Sequence, residues 1–153
     1  MTKNNGYRLR IGRFSESNRI YLLTTSTASR APIFSDFNSA SIAANTMSQI
    51  EKAGHIQSLA YVIMPDHIHW LIQLNGSLGL SGVMRSFKGY SANKLNQLRN
   101  MAGSPVWQRG YYDRALRSED DLLAVARYIV ANPLRAKLVK RLGEYPFWNA
   151  VWL

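Results

Sequence analysis

Two histidines at positions 67 and 69 are the residues of this chain whose type and spacing most directly suggest chemistry. Side chains alternate along a β-strand, so on a strand both imidazoles point to one face and Ile68 to the other. Two imidazoles side by side on a rigid strand make half of a metal site. The same spacing also suits two solvent-facing residues of a half-buried strand, so the pair alone does not decide. The chain has three histidines, and the other is His55. What decides is whether the rest of the chain supplies a nucleophile, a third ligand and charge suited to nucleic acid.

The surroundings favour a strand. Leu59 to Met64 is a continuous apolar run, Pro65-Asp66 is turn chemistry, and His67 to Ile72 resumes a strand. The nucleophile and third ligand are sought on a helix further on. Ser118 can cap it, and Glu119, Asp120 and Asp121 in its first turn suit the helix dipole. At about 100° per residue, Leu122, Leu123, Val125, Ala126, Ile129 and Val130 share one broad face. Tyr128 and Asn132 lie together on its flank, with Asp121 on the same stripe. The helix is expected to end near Asn132, because proline disfavours helical geometry in the residue before it and Pro133 follows. If this flank meets the histidine face, Asn132 can be a third metal ligand and Tyr128 a nucleophile. A helix-flank tyrosine that packs its ring and wets its hydroxyl is the plainer alternative.

Composition narrows the partners. The 153 residues carry 19 Lys and Arg against 9 Asp and Glu, a net charge of +10. Nucleic acid is the usual partner of such a surplus, because neutralising phosphates releases counterions. No stretch resembles a basic lipid-binding helix, and no run approaches a membrane span, so no membrane partner is expected. The absence of cysteine excludes disulfides, zinc-thiolate sites and thiol catalysis. No hydrophobic leader is apparent, and the default expectation is a soluble cytoplasmic protein.

The remaining elements position these residues. Residues 1–14 read as a basic arm with Arg8, Arg10 and Arg13 around Tyr7 and Phe14. Ile20 to Thr27 is a β-branched strand, and 28–36 a loop. A helix over 36–52 presents Phe37, Ala40, Ala44, Met47 and Ile50 at core spacing, and Gly54 stops it. Gly76, Gly79 and Gly82 loosen 75–82. A second helix, about 81–100, turns Met84, Phe87, Ser91, Leu95 and Leu98 inward. Its stripe of Arg85, Lys88, Ala92, Asn96 and Arg99 holds no acid, which favours phosphate contact over salt-bridge decoration. A loop over 101–110 includes Arg109, and a fourth strand over 111–117 includes Arg114 and Arg117. Leu134 to Val139 reads as extended or turn, and 144–153 as an aromatic tail. The order β-α-β-β-α-β-α describes one α+β domain over 1–153, a ferredoxin-like antiparallel sheet with an added C-terminal helix.

The segments YVIMPDHIHWLI, VWQRGYYDRALRSEDD and ARYIVANPLRAKLV together resemble the single-tyrosine HUH transposases. More narrowly they resemble the REP-associated tyrosine transposases of bacteria, and the likeness extends to YRLRIGRF and SFKGYSANKLN. The resemblance implies His67 and His69 as metal ligands, Tyr128 as nucleophile and Asn132 as the third ligand. It implies Mg²⁺ or Mn²⁺, single-stranded DNA hairpins as partners, and a monomer or homodimer. Cleavage and rejoining would pass through a covalent 5′-phosphotyrosine. The alternatives are a domesticated relative that holds DNA hairpins without cutting, and an RNA-binding module on the same plan.

Overall fold

The computed structural model of the chain describes residues 19–76 and 78–151. Eight elements carry the architecture: β1 (Ile20–Ser26), α1 (Phe37–Lys52), β2 (Ile56–Ile63), β3 (His67–Leu74), α2 (Gly79–Arg99), β4 (Tyr112–Ala115), α3 (Glu119–Arg135) and β5 (Trp148–Ala150). The five strands form one sheet in the order β4-β1-β3-β2-β5, and every neighbouring pair is antiparallel. The first four strands and two helices reproduce the ferredoxin-like plan.

The sheet has two covered faces. Alternation along β1 and β3 sends Tyr21, Leu23, Ile68, Trp70 and Ile72 towards α1 and α2, with Ala40, Met47, Met84 and Phe87 packed on them. It sends Ile20, Leu22 and Leu71 to the opposite face, where Leu122, Val125, Ala126 and Ile129 of α3 meet them. A register shift between Ser58 and Ala60 in β2 keeps the strand paired with β3. It also places both Leu59 and Ala60 in the α3 core, as an extra strand residue at a bulge does.

Local chemistry fixes the helix ends. The Asp36 carboxylate accepts from the Ser39 N–H at 2.9 Å and starts α1. Ser118 does the same for α3 through the Asp121 N–H at 3.1 Å. Asn100 ends α2 in the left-handed region, φ 55°.

Several sequence expectations are corrected. Pro133 does not end α3, which continues to Arg135. Proline removes the N–H that would reach the Ile129 carbonyl. The Asn132 side-chain amide turns back instead, donating to Tyr128 O at 3.1 Å and approaching Ile129 O at 3.5 Å. Of the 134–139 segment, expected as extended or turn, Leu134 and Arg135 are therefore helix, and a turn follows at Ala136 and Lys137. The aromatic tail contains β5, which pairs with β2 through Ala60 and Ala150. Gly79 and Gly82 lie inside α2 rather than in a loose connection. Phe37, Leu98 and Leu123 are exposed, although each was expected on a core stripe. Phe37 packs on Phe147 instead, ring centroids 5.1 Å apart.

Candidate active site

The histidines sit on the central strand. Both occupy odd positions of β3, on the face that α3 covers, and their rings lie edge to face with centroids 4.9 Å apart. His69 is 9% exposed. Its Nδ1 lies 2.9 Å from Thr24 Oγ1 on the neighbouring strand, a pairing that follows from the Thr24–His69 register. His67 Nδ1 lies 2.8 Å from Asp66 Oδ1. Asp66 is held in turn by Arg30, whose Nε is 3.1 Å from Oδ2. One nitrogen of each ring is thus taken by the protein. A carboxylate on Nδ1 favours the proton there, and the Thr24 hydroxyl can accept in the same way. In that tautomer each ring keeps its lone pair on Nε2.

Electrostatics agree with that role. Burial pushes the His69 pKa down to about 4, helped by the charges of His67 and Arg135. A neutral imidazole is the form that binds a cation. Burial raises the Asp66 carboxyl, but its hydrogen bond to His67 and the Arg30 charge outweigh this and leave it below its usual range.

Helix α3 brings the phenol to the histidines. The Tyr128 and His69 rings are 5.7 Å apart at 69°, and Tyr128 is 48% exposed, at the rim of the buried face. Arg135, two turns on, lays its guanidinium over the Tyr128 ring with Cζ 4.0 Å from the centroid. Its Nη2 also donates to Tyr128 O at 3.3 Å. Asn132 is 8% exposed. Its amide nitrogen serves the helix carbonyls, and Oδ1 is the acceptor end of the side chain.

The donor set fits a hard divalent cation in part. Two imidazoles and an amide oxygen are acceptable ligands. Among the described residues no group of three His, Cys, Asp or Glu could hold a metal, and the third ligand expected from the sequence, Asn132, is not of those types.

The expected DNA-binding residues divide between the layers. Arg114 pairs with Leu22 and so lies on the histidine face. Arg85, Lys88 and Arg99 belong to α2, across the sheet. Arg85, Arg109, Arg114 and Arg117 are exposed. Lys88 Nζ is engaged by Gln108 O at 2.9 Å and by Gly110 O. Arg99 Nη1 is buried without a hydrogen-bond partner among the described residues. Arg8, Arg10 and Arg13 lie outside the described residues.

Sequence reasoning missed three residues of the site. Thr24 could be found only from the β1–β3 register, and Asp66 was read as a turn residue alone. Arg135 was hidden by ending the helix too early.

A histidine pair on a central antiparallel strand, faced by a tyrosine from a helix on the same side, defines the single-tyrosine HUH class. The pattern of the family described as "Transposase IS200 like" matches residues 15–132, and the chain belongs to that family. It is 26% identical over 100 residues to a Haemophilus influenzae protein assigned as a REP-associated tyrosine transposase, covering 60% of this chain and 57% of that one. It is 28% identical over 89 residues to the REP-associated tyrosine transposase of Escherichia coli K12, covering 58% and 50%. The chain thus matches about half the length of these relatives. Its fold is similar to that of a REP-associated tyrosine transposase solved bound to a REP hairpin, with a TM-score of 0.73 at 18% identity, over 91% of this chain and 81% of the other.

Proposed function

We propose that this chain cuts and rejoins single-stranded DNA at hairpin sites of the REP type through a covalent 5′-phosphotyrosine at Tyr128. The observation that carries this reading is the 5.7 Å approach of the Tyr128 ring to His69. It brings a nucleophile-bearing helix against a paired-imidazole strand. Family membership and the hairpin-bound structural relative support DNA hairpins as the substrate class.

A phenol is a weak nucleophile at its ordinary pKa of about 10, so it needs positioning and an activated phosphate. Mg²⁺ or Mn²⁺ held by His67, His69 and Asn132 would supply Lewis-acid polarisation of the scissile phosphate. Thr24 and Asp66 orient the imidazoles. Arg135 covers one face of the Tyr128 ring and restricts its sweep. In the cleavage step the Tyr128 oxygen bonds to phosphorus, and the bond to the 3′ oxygen breaks. The phenol proton is lost and the leaving oxygen gains one, giving a free 3′-hydroxyl. The energy of the broken phosphodiester is kept in the phosphotyrosine, so a 3′-hydroxyl can reverse the step. Arg109, Arg114 and Arg117, with Arg85 and Arg99 on the other layer and the arm residues Arg8, Arg10 and Arg13, would meet phosphates, whereas Lys88, also expected there, holds the Gln108 and Gly110 carbonyls instead.

The test is adduct formation with a labelled hairpin carrying single-stranded flanks, on a denaturing gel with Mn²⁺. The unmutated chain should form the adduct. Tyr128→Phe should not, and His67→Ala and His69→Ala should lose it while keeping most hairpin affinity. An adduct that survives Tyr128→Phe but disappears in Tyr112→Phe would move the nucleophile to β4. No adduct from any form, with hairpin binding intact, would make the chain a non-cleaving hairpin-binding protein.

A further inference from the structure

We propose that Tyr112 and Arg114 of β4 form a subsite for the single-stranded DNA next to the scissile phosphate, with Tyr112 stacking on a base and Arg114 holding a phosphate. The inference rests on the proposed function and names where the flanking strand runs.

Sheet register puts the subsite beside the histidines. Thr24 pairs with His69 on one side and with Tyr112 on the other. Leu22 likewise stands between Leu71 and Arg114. Directly paired residues share a face, so Tyr112 and Arg114 look out on the same side as His69. Two strand spacings place the Tyr112 backbone about 10 Å from that of His69. This is within reach of nucleotides flanking a phosphate held there.

The side chains there are available. Helix α3 packs mainly on β2, β3 and β5, so among the described residues it does not cover the β1–β4 side of this face. Tyr112 is 57% exposed, and Arg114 is exposed as well. The other described tyrosines are committed. Tyr21 is buried, and Tyr61 packs against the core. Lys94 lies over Tyr90, Lys88 over Tyr111 and Arg135 over Tyr128. The Tyr145 hydroxyl donates to Ile63 O. The Tyr112 side chain has no hydrogen bond, ring contact or ion contact among the described residues. An exposed aromatic with no ring or cation contact among the described residues, next to an exposed arginine, is what unpaired bases stack on, and duplex DNA offers no such base face. Charge complementarity and continuity with the histidine face both favour a strand of DNA there.

The experiment measures binding without divalent cation in the Tyr128→Phe background, so the result does not depend on cleavage. The probes are a blunt DNA hairpin and the same hairpin with a single-stranded thymidine flank, each flank nucleotide also replaced in turn by an abasic one. Tyr112→Ala should weaken binding of the flanked hairpin about tenfold, as loss of one stacked base does. The blunt hairpin should bind as before, and Tyr112→Phe should restore the flanked affinity. One abasic position should abolish the difference between Tyr112 and Ala. Equal weakening for the blunt hairpin, no weakening with alanine, a phenylalanine variant as weak as alanine, or no preference for the flank at the outset each overturns the subsite. Failure of the cleavage reading has a separate signature, the missing Tyr128 adduct.

Discussion

Thr24 Oγ1 lies 2.9 Å from His69 Nδ1, across the β1–β3 pairing. This contact sets the ring orientation of a buried imidazole. Groups that hold the second nitrogen of a ligating histidine typically contribute 10–100-fold in metal affinity. Thr24→Val removes the hydroxyl with little change in volume. It should weaken Mn²⁺ binding by at least about tenfold, and Thr24→Ser should restore it. Calorimetric titration decides, and an unchanged affinity in Thr24→Val would remove the hydroxyl from the site.

His69 also predicts a pH dependence. Its folded pKa is pushed down to about 4 from an ordinary 6.5. Between those values the unfolded chain binds a proton that the folded chain refuses, so stability falls as pH drops from about 6.5 to about 4. The full effect is roughly 3 kcal/mol, and it levels off below the folded pKa. Asp66 acts in a lower window, because its folded pKa lies under 3.8. Urea melts between pH 7 and 4 should therefore show a loss that is much smaller in His69→Ala. An equal loss in both proteins would assign it to other groups.

The residues of the candidate site that could be singled out in the sequence are its ends, not the groups that hold them. His67, His69, Tyr128 and Asn132 could be placed because strand alternation and helical spacing are local properties. Thr24 depends on which strand lies beside β3, a long-range pairing that no local pattern encodes. Arg135 was lost for a different reason. The proline rule was applied without the Asn132 amide, which turns back onto the carbonyls of its own helix. Strand β5 is three residues long, too short for alternation to signal. The charged stripe on α2 was read correctly as free of acid, yet Lys88 had a loop to hold.

That loop contact can be tested. Lys88 Nζ is shared by the Gln108 and Gly110 carbonyls, and burial lowers its pKa. A charged donor joining two loop carbonyls contributes about 1–2 kcal/mol at a half-buried position. Lys88→Met should lower the melting temperature by several degrees and leave the salt slope of hairpin binding unchanged. Arg114→Ala should do the reverse, flattening the slope by about one unit with little effect on melting. A flattened slope in Lys88→Met at unchanged stability would make Lys88 a phosphate contact instead.

The Arg135–Tyr128 pair carries the final prediction. The guanidinium lies 4.0 Å from the ring centroid, and its charge also helps keep His69 neutral. A planar cation on an aromatic face is worth about 0.5–1 kcal/mol where exposed. It also limits how far the phenol can swing from the histidines. In-line attack is sensitive to displacements of about 1 Å, so loosening the ring should cost more in rate than in stability. Arg135→Ala should slow adduct formation by roughly 10–100-fold while melting changes little. Arg135→Lys keeps the charge but not the planar stack, and should fall between the two. His69 should titrate at a higher pH in Arg135→Ala than in Arg135→Lys, which NMR of the imidazole can follow. Equal adduct rates in all three proteins would show that the stack rests on Tyr128 without positioning it.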